Sequence, residues 1–278
     1  MRNALVSVSA FLCMAGAAFA GLKTDIEFAK AGDMSLTLDA YVPDGPGPFP
    51  TVIVVHGGGW RNGDKQTYVK PLFEPLTEAG FTWFTINYRL APAHHFPAPV
   101  EDVESAIRYV QSHAREYKVD LKRIAITGES AGGHLVSFVG ARDGRKLKLR
   151  AVVPFYAPNE LEAMITGSDQ TASARPAIKG LLDFTEPNPE AVRRLREASP
   201  ITYVKKGMPP FLLIHGTGDQ TVPFHQATVM CDKIKQAGSS CEIFPVEGGA
   251  HGMGSWDKNP SQKGYKVKMI EWLKRTMR

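Results

Sequence analysis

The feature that most constrains the fold of this chain is a series of short, almost wholly apolar runs. They are TVIVVH (Thr51 to His56), FTWFTIN (Phe81 to Asn87), RIAITG (Arg123 to Gly128), RAVVPFY (Arg150 to Tyr156), PFLLIH (Pro210 to His215) and CEIFPV (Cys241 to Val246). A strand with one wet face alternates apolar and polar residues; these runs do not alternate, so both faces of each must be covered. The segments between them supply the cover. APVEDVESAIRYVQSHAREY (Ala98 to Tyr117), PFHQATVMCDKIKQAG (Pro223 to Gly238) and GYKVKMIEWLKRTM (Gly264 to Met277) repeat apolar residues at three- and four-residue steps, the spacing of one helix face. Strand and helix alternate, which predicts an α/β fold with a mainly parallel central sheet of about eight strands and helices on both faces. TDIEFA and SLTLDAYV, joined by a short KAGD turn, predict an antiparallel hairpin at its edge.

A chain of 278 residues, 43% hydrophobic, is long enough for one such domain. The first twenty residues stand apart: Arg2, an apolar stretch from Ala10 to Phe19 and the ending Ala18-Phe19-Ala20 predict a cleavable secretory signal, hence a secreted or periplasmic protein. That apolar stretch is too short to span a bilayer, so stable membrane association is not expected. Residues 21–278 are expected to form a single catalytic domain. Within it, 158–209 carries no strand pattern and only two weak helical ones, around Ala177 to Leu182 and Pro189 to Glu197. This exceeds the ~12–15 residues of a plain loop and is either a lid over a pocket or a packing excursion.

The formal charge of +5 is spread thinly, and clusters such as RDGRKLKLR (Arg142 to Arg150) lack aromatic interleaving, so nucleic acid is not an expected partner. Past the signal, Cys231 and Cys241 remain. In an oxidising compartment they would form a helix-to-sheet disulfide if they face each other, and otherwise stay as two buried thiols. Without HExxH, CxxC or a clustered His/Cys set, neither a metal nor a cofactor is expected.

GESAGG follows one of the buried runs and opens a helical stretch. A serine hydroxyl is a poor nucleophile unless a base takes its proton, and it must protrude to meet a carbonyl carbon. A sharp strand-to-helix turn makes Ser130 protrude, and Gly128 and Gly132 leave room for it. The turn also frees the N–H of Ala131 at a helix N-terminus, where a developing oxyanion would sit. VVHGGGW, after another strand, offers further backbone donors at Gly57 and Gly58, with Gly59 a third candidate. Among the histidines, His251 lies in the EGGAHGMG loop past the last strand, at the end of the sheet where open α/β folds gather their chemistry. Asp219, just past FLLIH, is the acid placed to hold it; His225, close behind, begins a helix and is the weaker base. Trp60 lines the pocket rim or fills core. Glu129 is expected to be buried with a partner, and Arg89 and Asp102 to pair and tie a strand end to the next helix.

The motifs HGGGW, NYRLAP, FPAPVEDV, GESAGG, ASPITYV, HGTGDQTVP and GGAHGM resemble the α/β-hydrolase superfamily. Within it they resemble the hormone-sensitive-lipase-like esterases and the bacterial secreted carbohydrate esterases, acetylxylan and feruloyl esterases among them. The resemblance runs from about Asp25 to the C-terminus and implies an α/β-hydrolase fold. It implies Ser130 as nucleophile, His251 as base, Asp219 as acid, Gly57, Gly58 and Ala131 as oxyanion donors, and a small-molecule or polysaccharide ester as substrate. The sequence departs from these families at Ala93 and His95 in LAPAHHFP, at the pocket edge. The alternatives are a general short-chain carboxylesterase, a kynurenine-formamidase-like amide hydrolase, which shares HGG-x-W, and a non-catalytic binding protein on the same scaffold.

Overall fold

The computed structural model describes residues 20–278; the signal expected over 1–20 falls, apart from Ala20, outside the described residues. β1 (Gly21–Ala31) and β2 (Met34–Val42) form the antiparallel hairpin, and β3 (Phe49–Val55), β4 (Thr82–Ile86), β5 (Val119–Glu129), β6 (Ala151–Phe155), β7 (Phe211–Gly216) and β8 (Cys241–Val246) complete one sheet. Its order is β1-β2-β4-β3-β5-β6-β7-β8, with β2 antiparallel to β4 and every pairing from β4 onward parallel. The helices are α1 (Phe73–Glu78), α2 (Ala98–Ser112), α3 (Ala131–Asp143), α4 (Leu161–Ile165), α5 (Arg175–Leu182), α6 (Pro189–Ala198), α7 (His225–Gln236), α8 (Met253–Trp256) and α9 (Gly264–Thr276).

The unbroken apolar runs are explained by a core on each face of the sheet. Ile53 and Val55 of β3 belong to one core with Val103 and Ile107 of α2, Leu135 and Val139 of α3, and Met230 and Ile234 of α7. Their neighbours Val52 and Val54 point the other way, onto Leu76 of α1 and Met269, Trp272 and Leu273 of α9. The two-residue period of a strand thus divides each run between two cores.

The helix expected over 98–117 stops at Ser112. The chain must turn there to enter β5, and Lys118 makes the turn in the left-handed region, at φ 51°, with the Val119 N–H bonded to Ala114 O at 2.8 Å. The expected Arg89–Asp102 pair forms: Arg89 Nε lies 2.9 Å from both carboxylate oxygens and the Arg89 backbone N–H donates to Asp102 Oδ2 at 2.8 Å. The end of β4 is thereby bound to α2 by a buried carboxylate whose acceptors are used. Segment 158–209 folds into α4, α5, α6 and a short 3₁₀ turn. Pro189 starts α6, and Asn188 caps it by accepting the Ala191 N–H at 2.8 Å.

Of the two states open to the cysteines, the structure has the disulfide: Cys231 in α7 is bonded to Cys241, the first residue of β8, with Cα atoms 5.5 Å apart. Closing a loop with a sequence separation of 10 removes unfolded-state entropy worth roughly 2–3 kcal/mol. Replacing both cysteines by alanine is expected to lower the urea-unfolding free energy by about that amount, and a reducing agent should reproduce the loss in the native chain without affecting the alanine variant.

Candidate active site

Ser130 sits where β5 becomes α3, at φ 51° and ψ −116°. This conformation is strained for a side chain larger than glycine and is held by its surroundings. The Ser130 N–H donates to Phe155 O at 3.0 Å. A Cβ on Gly128 would lie 2.6 Å from Gly132 O, and one on Gly132 only 2.2 Å from Val55 O and 2.3 Å from His56 O. Backbone against backbone cannot yield, so both positions admit only glycine.

The structure brings Ser130, His251 and Asp219 together. Ser130 Oγ is 2.9 Å from His251 Nε2, and His251 Nδ1 is 2.7 Å from Asp219 Oδ2. Asp219 is buried, and its other oxygen accepts the N–H groups of Thr221 and Val222 at 2.8 and 2.9 Å. Burial alone would raise its pKa, but hydrogen bonds from His215 and His251, the His251 charge and the Val222 N–H outweigh it and hold the carboxyl well below the usual range. His215 is the weaker of the two imidazole contacts, since its Nε2–H donates to Val222 O at 2.9 Å and reaches Asp219 only at 3.5 Å. His225 is elsewhere, its Nδ1 turned to Asp169 at 3.0 Å.

A cavity of about 470 Å³ opens over Ser130 and His251. Gly58, Gly59 and Ala131 line it beside the serine; Gly57 does not. Gly57, also expected as an oxyanion donor, is packed against Glu129 instead: a Cβ there would lie 1.9 Å from Glu129 Oε1, and the Gly57 N–H helps to stabilise the ionised carboxylate. The backbone lining the cavity beside Ser130 is that of Gly58 and Gly59, at φ +92° and +61°, and of Ala131.

Trp60 both lines the cavity and is buried. Its Nε1–H donates to His134 Nδ1 at 3.3 Å, and His134 Nε2–H donates to Ala198 O at 2.8 Å, at the end of α6. Accepting the Trp60 N–H requires a neutral imidazole, and burial lowers the His134 pKa to about 4. His56, buried under the same loop with its Nδ1 2.9 Å from Gly57 O, is lowered to about 4 by the same cause. Glu129, expected to have a partner, is buried with Oε1 making no hydrogen bond. Desolvation raises its pKa to about 7 against the opposing pull of His251, the Tyr156 hydroxyl and the Gly57 N–H.

The remaining wall is apolar and comes largely from the insertion: Met164 of α4, Ala174 before α5, and Ala177 and Ile178 within it, facing Val222. Tyr68, 56% exposed, stands at the mouth. None of these was singled out from sequence; the apolar face of α5 was legible, the direction it faces was not.

The sheet order, the strand-to-helix elbow and the loop cluster beyond the parallel strands define an α/β-hydrolase. The chain belongs to the BD-FAE family, whose model matches residues 38–234. It is 30% identical over 226 residues to esterase LipC of Mycobacterium tuberculosis, a match covering 74% of this chain and 53% of LipC. The chain spans about half the length of the curated relatives it matches. A truncated carbohydrate esterase from gut microbiota superposes with a TM-score of 0.79 at 26% identity, over 94% of this chain and 97% of the other. Thermogutta terrifontis esterase 2 with propionate bound gives a TM-score of 0.73 at 28% identity, over 92% and 93% of the two chains.

The pKa values fix the direction of a stability change with acidity. Folded His56 and His134 stay neutral down to about pH 4 while the unfolded chain takes up their protons near 6.5, so stability present above 6.5 is lost as the pH falls toward 4. Glu129 acts in the opposite sense between about 7 and 4.5, but it is one group against two. The urea-unfolding free energy is expected to fall on acidification from pH 6.5 to 4, by on the order of 3 kcal/mol per imidazole, and His134→Gln should make the decline shallower.

Proposed function

We propose that the protein is a secreted serine carboxylic-ester hydrolase that removes acyl groups, acetyl or feruloyl, from plant polysaccharides. The observation that carries the reaction type is the continuous line from Asp219 through His251 to Ser130 Oγ, at 2.7 and 2.9 Å, on the floor of the cavity. Ser130 Oγ attacks the ester carbonyl carbon as His251 Nε2 takes its proton, and the carbonyl electron pair moves onto oxygen, facing the N–H groups of Gly58, Gly59 and Ala131. Asp219 holds the imidazole tautomer and balances the imidazolium. The intermediate collapses with loss of the alcohol, which takes the proton from His251 Nε2. Water, deprotonated by the same nitrogen, then attacks the acyl-enzyme and releases the acid and a free Ser130.

The carbohydrate side of the proposal rests on membership of the BD-FAE family and on the likeness to a gut carbohydrate esterase. Secretion rests on the signal-like first twenty residues, and the Cys231–Cys241 bond suits an oxidising compartment. A general short-chain carboxylesterase is the second reading. The apolar wall of Met164, Ala174, Ala177 and Ile178 favours it, as does the propionate bound by the Thermogutta esterase.

Ser130→Ala is expected to lower kcat on p-nitrophenyl acetate by on the order of 10⁴-fold or more while leaving the fold intact; most activity surviving in it would refute the nucleophile. Rates on acetylated xylan, methyl ferulate and p-nitrophenyl butyrate, measured side by side, decide the substrate. Preference for the first two supports the carbohydrate esterase, and preference for the last supports the second reading.

A further inference from the structure

Glu129 has no part in the acyl transfer described above, yet it occupies the most constrained space around it. It is 4% exposed, lines the cavity beside Ser130, and its Oε1 has no hydrogen-bond partner. Packing alone would not place a carboxylate there, because a buried charge without full satisfaction is destabilising and an apolar side chain of that size would fill the volume. Two contacts indicate what the carboxylate does.

The first is with Gly57. The carbonyl of Gly57 is held from one side, by the Tyr88 hydroxyl at 3.1 Å and by His56 Nδ1 at 2.9 Å. Its N–H faces the carboxylate of Glu129. The peptide groups on either side of Gly57 are thus both engaged, and the two glycines that follow line the cavity from that start. The carboxylate lies so close that a methyl group on Gly57 would overlap it, at 1.9 Å from Oε1. The second is an electrostatic interaction with His251, whose imidazolium form Glu129 favours; Tyr156, hydrogen-bonded to Glu129, packs edge-on to the same imidazole at 4.7 Å between centroids.

We propose that Glu129 is a positioning residue for ester hydrolysis: its ionised carboxylate sets the Gly57 peptide, and through it the donor loop, and supports the positive charge that His251 acquires. The proposal rests on the esterase reading. The titratable groups facing Glu129 are His251, from the loop after β8, Tyr156, just past β6, and Tyr88, past β4. Burial, together with the Glu129 charge, pushes both tyrosine hydroxyls well above their ordinary range, so they stay neutral. Burial that raises the Glu129 pKa to about 7 makes the carboxylate costly at working pH, as expected of a group kept for activity rather than stability.

The sign of the pH effect follows. A negative charge near His251 favours its protonated form, so removing that charge moves protonation to lower pH. Glu129→Gln keeps an acceptor for the Gly57 N–H but loses the charge. It is expected to lower kcat on p-nitrophenyl acetate at least about tenfold, with KM little changed, and to shift the acid limb of kcat/KM to lower pH. Glu129→Asp keeps the charge and withdraws it by a methylene from Gly57; it should lose kcat while its acid limb stays near that of wild type. An E129Q enzyme with the kcat and acid limb of wild type overturns the proposal. So does loss of kcat in both variants with an unmoved limb in E129Q, the pattern of a residue that merely packs. Should E129Q not fold, E129D decides by kcat alone, undiminished activity counting against the proposal. Absence of hydrolysis by the wild type, with Ser130 unlabelled by a fluorophosphonate probe, overturns the esterase reading instead.

Discussion

The catalytic end of the sheet is organised by one close approach, that of the backbone at Gly132, on the first turn of α3, to the carbonyls of Val55 and His56 at the end of β3. No side chain fits between them, so the helix starts directly over the neighbouring strand and the chain must reverse within Ser130 to enter it. Three consequences share this origin. Ser130 protrudes at a positive φ, the Ala131 N–H is left at an open helix end, and the loop leaving β3 is forced across the top of Glu129. A parallel sheet favours such an arrangement, because adjacent strands end at the same edge and their loops must meet there.

Around that serine, two buried carboxylates have their pKa values shifted in opposite directions by their surroundings. Asp219 is supplied with N–H groups from Thr221, Val222 and His251 and stays ionised far below the usual range, which suits a group that must balance a transient imidazolium. Glu129 lies among Tyr88, Tyr156 and the glycine loop with one oxygen unsatisfied, and holds its proton to near neutrality. Environments that push the pKa values of nearby acids apart are how one site assigns them different work. Here the better-solvated charge sits behind the imidazole and the poorly solvated one beside it.

Most of the scaffold was legible because its signals are local. Each buried strand announced itself by an unbroken apolar run, and Ser130, Asp219 and His251 stand directly beyond strand ends in the order expected for this fold, so their convergence followed from the topology. What escaped was orientation. Three consecutive glycines differ only in backbone dihedrals, and nothing in HGGGW says that Gly57 packs against Glu129 while Gly58 and Gly59 line the cavity. The surroundings of Glu129 were hidden for a similar reason: its sequence neighbours are Gly128 and Ser130, but its spatial neighbours arrive from β3, β4, β6 and the loop after β8. α8, Met253–Trp256, is too short for a periodic pattern, yet its first N–H engages the Tyr156 hydroxyl at 3.2 Å and helps place the ring that flanks His251.

Substrate choice falls on the part of the chain where sequence patterns say least. The floor of the cavity is backbone and polar groups supplied by the sheet, whereas its far wall is the apolar face of the inserted helices, with Met164, Ala177 and Ile178 at its centre. That wall is tied to the body of the protein. Asp169, between α4 and α5, accepts from Gln226 Nε2 at 2.6 Å, and Gln226 in turn accepts the N–H groups of Asn159 and Glu160 at 2.8 Å, so the insertion is bound to the start of α7. On the other side, Ala198 is bound through His134 to Trp60 in the donor loop. The insertion is thus tied by hydrogen bonds near both of its ends and forms one wall of the pocket. The acyl or alcohol group admitted is then set by the side chains α4 and α5 present, and the reaction by the sheet beneath.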